Sequence, residues 1–273
     1  MKRLADRHAV VTGAGRGIGR AIAIELAAQG ALVTAVARSR DQLDDLAAGI
    51  RAAEGRVVVA PADVGTPAGV DSIPSGAEGW PPVGILVNAA GTFGPLQLVA
   101  DTDPEPWLET IRTNLFSVFL TCHRFLPGML AQGWGRILNV TSAASVHTPG
   151  PLNSAYATSK VAINQFTRQL AAELDGTGVT ANVFHPGDVR TRMFEDIRVG
   201  VRATGDLAAG NYDPWVEWIE RTGGDSPQKA ADLVIRVATD ERGTPNGEFL
   251  WIDDPLQSPV PTWETGGGPP GYV

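Results

Sequence analysis

Thr12-Gly13-Ala14-Gly15-Arg16-Gly17-Ile18-Gly19 is the stretch around which the rest of the chain arranges itself. Before it stands His8-Ala-Val-Val-Thr12, an apolar, β-branched run that reads as a buried strand. After it, residues 18–29 carry helical apolar spacing and stop at Gly30. A glycine-rich turn that joins a strand to a helix points free backbone N–H groups, and the positive end of the helix dipole, at whatever lies in front of it. Phosphate is the natural occupant. Gly13 permits the tight turn, Gly17 lets a pyrophosphate approach the backbone, and Gly19 lets the helix pack closely on the strand, with Ile18 between them. Three glycines alone would be a weak signal; their place between the first strand and the first helix gives them weight.

Outward from this turn the chain alternates. Residues 31–37, 56–60, 85–88, 136–141, 179–184 and 248–252 read as further strands. Residues 41–54, 106–130, 156–174 and 226–240 read as helices. The strands are continuous apolar runs, as expected when both faces of a sheet are covered. The pattern predicts an α/β, single-domain Rossmann fold: a seven-stranded parallel sheet with helices on both faces. Residues 65–82 occupy the place of a helix but contain Pro67, Pro74, Pro81 and Pro82, which predicts a short or broken one. Residues 200–224 interrupt the alternation and carry Trp215 and Trp218, spaced to share one helical face. The domain is expected over residues 1–255, followed by a Pro/Gly-rich tail at 256–273.

Composition removes several classes of function. The 273 residues are 43% hydrophobic with a net charge of −8, which argues against nucleic acid as a partner, since phosphate backbones call for a basic surface. Cys122 is the single cysteine, so no internal disulfide or thiolate cluster can form, and its apolar helical surroundings mark it as a core residue. His8, His123, His147 and His185 show no i, i+4 pair, and no metal is expected. No apolar run approaches the roughly 18 residues of a membrane helix. The N-terminus lacks the apolar stretch of a signal peptide. A cytoplasmic protein with no membrane partner is expected.

The end of the second strand bears on which dinucleotide would sit on the glycine turn. An acidic residue there would accept hydrogen bonds from a ribose 2′-hydroxyl and repel a 2′-phosphate. This chain has Ala37-Arg38-Ser39-Arg40 instead. Arg38 offers a guanidinium, Ser39 a hydroxyl and Arg16 a second positive charge, which predicts NADP rather than NAD. Asp63-Val64 follows the third strand, where Asp63 suits either an adenine contact or a helix N-cap. Asn88-Ala89-Ala90-Gly91 ends the fourth strand, and Gly91 would leave room for the cofactor.

Tyr156-Ala-Thr-Ser-Lys160 opens a long helix, and the i, i+4 spacing puts Tyr156 and Lys160 on one face. A tyrosine loses its proton near pH 10, and a neighbouring ammonium is expected to lower that pKa and fit the phenol for general acid–base work. Ser142, just past the fifth strand, lies at the same sheet edge as the glycine turn and could hold a substrate oxygen. Asn114, a polar residue within an apolar helical stretch, reads by itself as an exposed helical asparagine.

In this order and at these separations, Thr12-Gly-x-x-x-Gly-x-Gly19, Asn88-Ala-x-Gly91, Asn114, Ser142, Tyr156-x-x-x-Lys160 and Pro186-Gly187 with Thr191 resemble the short-chain dehydrogenase/reductase family over roughly residues 6–253. The resemblance implies a catalytic tetrad of Asn114, Ser142, Tyr156 and Lys160. Tyr156 would pass the proton and Ser142 would orient the carbonyl. Lys160 would bind the nicotinamide ribose, and Asn114 would hold a water linking Lys160 to solvent. It further implies that Pro186, Gly187, Val189 and Thr191 line the nicotinamide end. Substrate would meet a loop at 143–154 and a lid at 191–224. The candidates there are His147, Asn153, Asp188, Met193, Phe194, Trp215 and Trp218, the two tryptophans serving either as pocket wall or as lid packing. The chain departs from the family pattern at Ala89, where a second asparagine is common, and at Asp188, where a small or apolar residue is common. Asp188 suits a substrate hydroxyl or amine, or a helix cap. The implied activity is NADP(H)-dependent interconversion of a ketone and a secondary alcohol, in a homo-tetramer or dimer built on the two long helices. Alternatives are dehydration or epimerisation on the same fold, or a non-catalytic NADP-sensing protein.

Overall fold

Strands β1 (His8–Thr12), β2 (Leu32–Ala37), β3 (Arg56–Pro61), β4 (Val83–Asn88), β5 (Gly135–Val140), β6 (Val179–His185) and β7 (Phe249–Trp251) form one sheet in the order β3-β2-β1-β4-β5-β6-β7. Every neighbouring pair is parallel. The structure is a computed structural model, and it describes residues 2–146, 150–205, 212–240 and 245–252. The expected tail at 256–273 and His147 lie outside the described residues.

Alternate residues of each strand feed two cores. On one face Val11, Ala35, Val87 and Phe184 pack under α1 (Gly17–Ala28), α2 (Arg40–Ala52) and a C-terminal helix, Pro227–Thr239. On the other, Val10, Val36, Leu86 and Ile137 pack under α3 (Pro67–Asp71), α5 (Ser117–Gln132) and α6 (Ser154–Glu173). Cys122 belongs to this second core and is 2% exposed. Burial pushes its thiol up to about 12, so it stays protonated and inert.

The chain leaves β1 in one direction and returns for β4 on the other side of it, so their carboxyl ends diverge into a crevice. As the prolines predict, the segment before β4 holds only the short α3. The helix expected at 106–130 begins earlier and is not uniform. Pro104–Ile111 (α4) is capped by the Asp103 side chain, and a wide π-type turn at Arg112–Phe116 separates it from α5. Such turns carry one extra residue and recur at functional sites. Among the described residues, the segment read as an interruption takes in the end of α7 (Arg192–Thr204) and the whole of α8 (Asp213–Thr222); the helix at Pro227–Thr239 is then α9. Ion pairs from Arg198 and Arg202 to Glu220 tie α7 to α8.

At the opposite end of the strands His8 is buried, with its ring nitrogens on Pro81 O (3.1 Å) and Thr34 Oγ1 (2.9 Å) and its ring in a T-shaped contact with Trp80. Burial holds this imidazole below its ordinary pKa. The folded chain therefore resists a proton that the unfolded chain accepts below about pH 6.5. Stability contributed by neutral His8 is full above that pH and declines as pH falls toward the lowered folded-state value. Thermal unfolding midpoints should drop more steeply between about pH 7 and 5 in the native chain than in His8→Asn; equal slopes would remove His8 as the cause.

Candidate active site

The glycine turn is held against the β4 loop from both sides. Thr12 Oγ1 accepts the N–H groups of Ala89 (3.1 Å) and Ala90 (3.2 Å). A Cβ on Gly13 would lie 2.7 Å from Ala89 O, and one on Gly19 would lie 2.4 Å from Gly13 O. Gly13 and Gly17 adopt positive φ angles of 66° and 57°. The N-cap position of α1 is Arg16, whose side chain makes no capping hydrogen bond. The first N–H groups of α1 thus have no side-chain acceptor, in a cradle too tight for any residue but glycine. A dinucleotide pyrophosphate suits those donors.

Arg38 and Arg16 both stand exposed beside this cradle, and neither takes part in an ion pair among the described residues. Arg40 is instead paired with Asp44 one turn on. Ser39 caps α2, its Oγ accepting the Gln42 N–H at 3.4 Å. Asp63 does not cap a helix: its Oδ1 accepts the Gly65 N–H within the loop, and Thr66 caps α3. The side chains of Val64 and Asn88 are turned into the protein. Val64 packs in the second core. Asn88 bonds to Asn139 and Thr121 beneath the crevice. Only their backbones are left for a ligand. Their polar or loop-adjacent position in the sequence gave no sign of that orientation.

Asn114 is fully buried rather than exposed. Its Nδ2 donates to Thr92 O and Ser159 Oγ (2.9 Å each), and its Oδ1 accepts the Thr92 N–H at 2.8 Å. Ser159 Oγ in turn donates to Tyr156 O at 2.7 Å. The π-type turn thus carries Asn114 onto the first turn of α6. Gly91 sits in front of this group, where a Cβ would lie 3.3 Å from Asn114 Oδ1 and 3.9 Å from Lys160 Nζ.

Tyr156 and Lys160 project from α6 toward Ser142. The Ser142 side chain hydrogen-bonds Tyr156, and its Oγ also accepts the Ala144 N–H, which fixes it at the start of a short helical turn, Ala143–Ser145. Lys160 Nζ donates to Val140 O at 2.9 Å and lies 5.5 Å from the centre of the Tyr156 ring. Burial brings the Lys160 ammonium down to about 8. Burial also raises the pKa of Tyr156, the Ser142 bond opposes the rise, and the Asp188 charge adds to it. The lowering expected from Lys160 is therefore overturned. Desolvation of the phenol is the largest influence on it, and the same burial disfavours the charged form of Lys160.

Ser142 and Tyr156 open onto a cavity of about 400 Å³. Ile18, Pro186, Gly187, Val189 and Thr191 line it, as do Asn153, Asp188, Met193, Phe194 and Trp215. Trp218 does not; it packs with Phe194, Val216 and Ile219 behind the wall. Asp188 caps no helix. Its Oδ1 accepts the Trp215 Nε1–H at 2.8 Å. Thr191 plays two parts: its Oγ1 accepts the Phe194 N–H at the start of α7, and its methyl group is 3.3 Å from where a Cβ on Gly17 would be. Among the wall residues that escaped the sequence reading are Phe93, His185, Tyr212 and Trp251. Phe93 lies on Tyr156 with ring centroids 4.7 Å apart. Its position two residues beyond Gly91 was the one available sign.

A doubly wound parallel sheet with a glycine cradle at its switch point defines a Rossmann-type nucleotide-binding protein. Residues 7–201 match the family model described as short chain dehydrogenase. A short-chain reductase protein, NovJ, of Streptomyces niveus is 35% identical over 246 residues, covering 90% of this chain and 92% of that protein. Among solved structures, a variant of the actinorhodin polyketide ketoreductase with NADPH superposes with a TM-score of 0.78 at 28% identity, over 90% of this chain and 95% of that one. An NAD+-bound xylitol dehydrogenase superposes with a TM-score of 0.80 at 25% identity, over 91% and 98%. The chain belongs to the short-chain dehydrogenase/reductase family of oxidoreductases. Among the described residues no group of histidine, cysteine or carboxylate side chains could hold a metal ion, and no helix is long and apolar enough to cross a membrane.

Proposed function

We propose that the chain is an NADP(H)-dependent reductase that converts a ketone to a secondary alcohol, with Asn114, Ser142, Tyr156 and Lys160 as its catalytic group. The carrying observation is the hydrogen-bonded pair of Ser142 and Tyr156 on a cavity wall that the residues flanking the glycine cradle, Ile18 and Thr191, also line. A nicotinamide bound there supplies or accepts the hydride. Ser142 donates to the carbonyl oxygen and holds it against Tyr156. The Tyr156 hydroxyl delivers the proton as negative charge grows on that oxygen. Lys160, close to neutral pH in its own titration, is suited to replenish that proton and to hold the ribose. Asn114 anchors the helix start on which Tyr156 sits, through Ser159.

Arg38 and Arg16, exposed at the mouth of the cradle, support NADP(H) over NAD(H) through a 2′-phosphate. We place the substrate lid at residues 191–224. Leu108, Phe116 and Phe119, exposed along α4, the π-type turn and α5, support assembly into a homo-oligomer on that surface. A panel of ketones and secondary alcohols followed by nicotinamide absorbance, with NADPH and NADH in parallel, tests the reading. Reduction of at least one ketone with NADPH preferred is expected. No turnover of any compound with either cofactor would overturn it.

A further inference from the structure

We infer that Asn164 is a positioning residue for the reduction: it clamps both flanks of Ser142 to the helix that carries Tyr156 and Lys160, and so fixes the hydroxyl that orients the carbonyl relative to the phenol that protonates it. The inference deepens the reductase reading of this same site and rests on it.

Ser142 sits on a loop, whereas Tyr156 and Lys160 sit on α6. Their mutual geometry is held only as well as the loop is cross-linked to the helix. Positions 156, 160 and 164 are successive four-residue steps along one face of α6, and each reaches the segment 140–145. Tyr156 meets Ser142, and Lys160 Nζ donates to Val140 O at 2.9 Å. Asn164 takes the residues on either side of Ser142. Thr141 Oγ1 donates to Asn164 Oδ1 at 2.6 Å, Asn164 Nδ2 donates to Ser145 Oγ at 2.8 Å, and Ser145 Oγ donates to Ser142 O at 2.6 Å.

The direction of this relay follows from its last member. A carbonyl only accepts, so the single Ser145 hydroxyl proton points at Ser142 O. Ser145 Oγ must then accept from Asn164 Nδ2, which leaves Oδ1 for the Thr141 hydroxyl. Residue 164 has to donate and accept at once over a short reach, and asparagine does both. Thr141 and Ser145 are buried, where bulk water does not replace a lost partner. The strand side of the turn is anchored separately: Thr141 N–H donates to Phe184 O and Ala143 N–H donates to His185 Nδ1. Those bonds hold the turn to β6. Asn164 holds it to α6, the element on which the phenol rides. Without Asn164 the turn stays on the sheet but is free to drift from Tyr156.

The test replaces Asn164 with leucine, a neutral side chain of similar shape, and breaks the far end of the relay with Ser145→Ala. With NADPH and the ketone that the native chain reduces fastest, each change should lower kcat by about tenfold to a hundredfold, the cost of a small misplacement of reacting groups, while the NADPH dissociation constant stays within a few-fold. On a Ser142→Ala background Asn164→Leu should cost little more, because it acts through Ser142. Native kcat in both variants, a loss confined to KM, or a full further loss on the Ser142→Ala background would overturn the inference. If Asn164→Leu does not fold, Ser145→Ala decides. Amide hydrogen exchange in the cofactor-free chain separates the inference from the reductase reading. The amides of residues 143–146 should exchange faster in both variants while the strands keep their native protection. Faster exchange in a chain whose native form reduces no ketone would sink the reductase reading and leave the clamp standing. Unchanged exchange at 143–146 would sink the clamp.

Discussion

Tyr156→Phe should lower kcat by about two to four orders of magnitude, the range that a positioned acid or base contributes, while the dissociation constant for NADPH moves by no more than a few-fold. The substitution removes one oxygen. Phe93 packs on the ring face and would pack equally on phenylalanine, and Ser159 bonds to the backbone carbonyl of residue 156, not to its side chain. The fold around the site therefore survives, and so does the glycine cradle. What disappears is the proton donor and the partner of the Ser142 hydroxyl. Single-turnover reduction with bound NADPH, alongside fluorescence titration of the cofactor, separates the two effects. Retained turnover would exclude Tyr156 as the proton donor. A parallel loss of NADPH binding would show that the residue acts on the cofactor instead.

Arg38→Asp should shift the ratio of kcat/KM for NADPH over NADH toward NADH by about a hundredfold or more, since it deletes a cation and installs an anion beside the place of a doubly charged phosphate. The guanidinium is exposed, outside any described ion pair, so the change breaks no structural contact. The new carboxylate would also accept hydrogen bonds from a ribose 2′-hydroxyl, which raises the NADH value as the NADPH value falls. Arg16 lies on the other side of the cradle and should retain part of the NADPH preference. Steady-state kinetics with both cofactors at a fixed ketone concentration checks this. An unchanged ratio would remove Arg38 from the selection of cofactor.

The sheet was readable because both of its faces are covered. Burial on two sides turns β1, β2 and β4 into continuous runs of valine, leucine and alanine that no loop imitates. The glycine cradle was readable for a related reason: Cβ atoms at Gly13 and Gly19 would collide with backbone, and that requirement is written at single positions. The π-type turn at Arg112–Phe116 left no such mark. Its residues are ordinary helix formers, and the turn serves an asparagine whose partners, Thr92 and Ser159, are far away in the chain. The same distance hid the burial of Asn114 and the inward turn of Asn88. The cavity wall was only partly readable, because Phe93, Tyr212 and Trp251 reach it from three unrelated segments. The sign of the Tyr156 shift was misjudged from spacing. Four residues along a helix give the neighbour's charge but not the depth at which both side chains sit.

Thr191 joins what a kineticist would treat as two separate constants. Its methyl group rests on the glycine cradle, and its hydroxyl starts the first helix of the lid. Neither surface can be displaced without moving the other. A larger side chain at this one position would crowd the dinucleotide loop and re-aim the helix carrying Met193 and Phe194 in a single step. Affinity for the cofactor and selectivity for the substrate are thus not independently adjustable at residue 191.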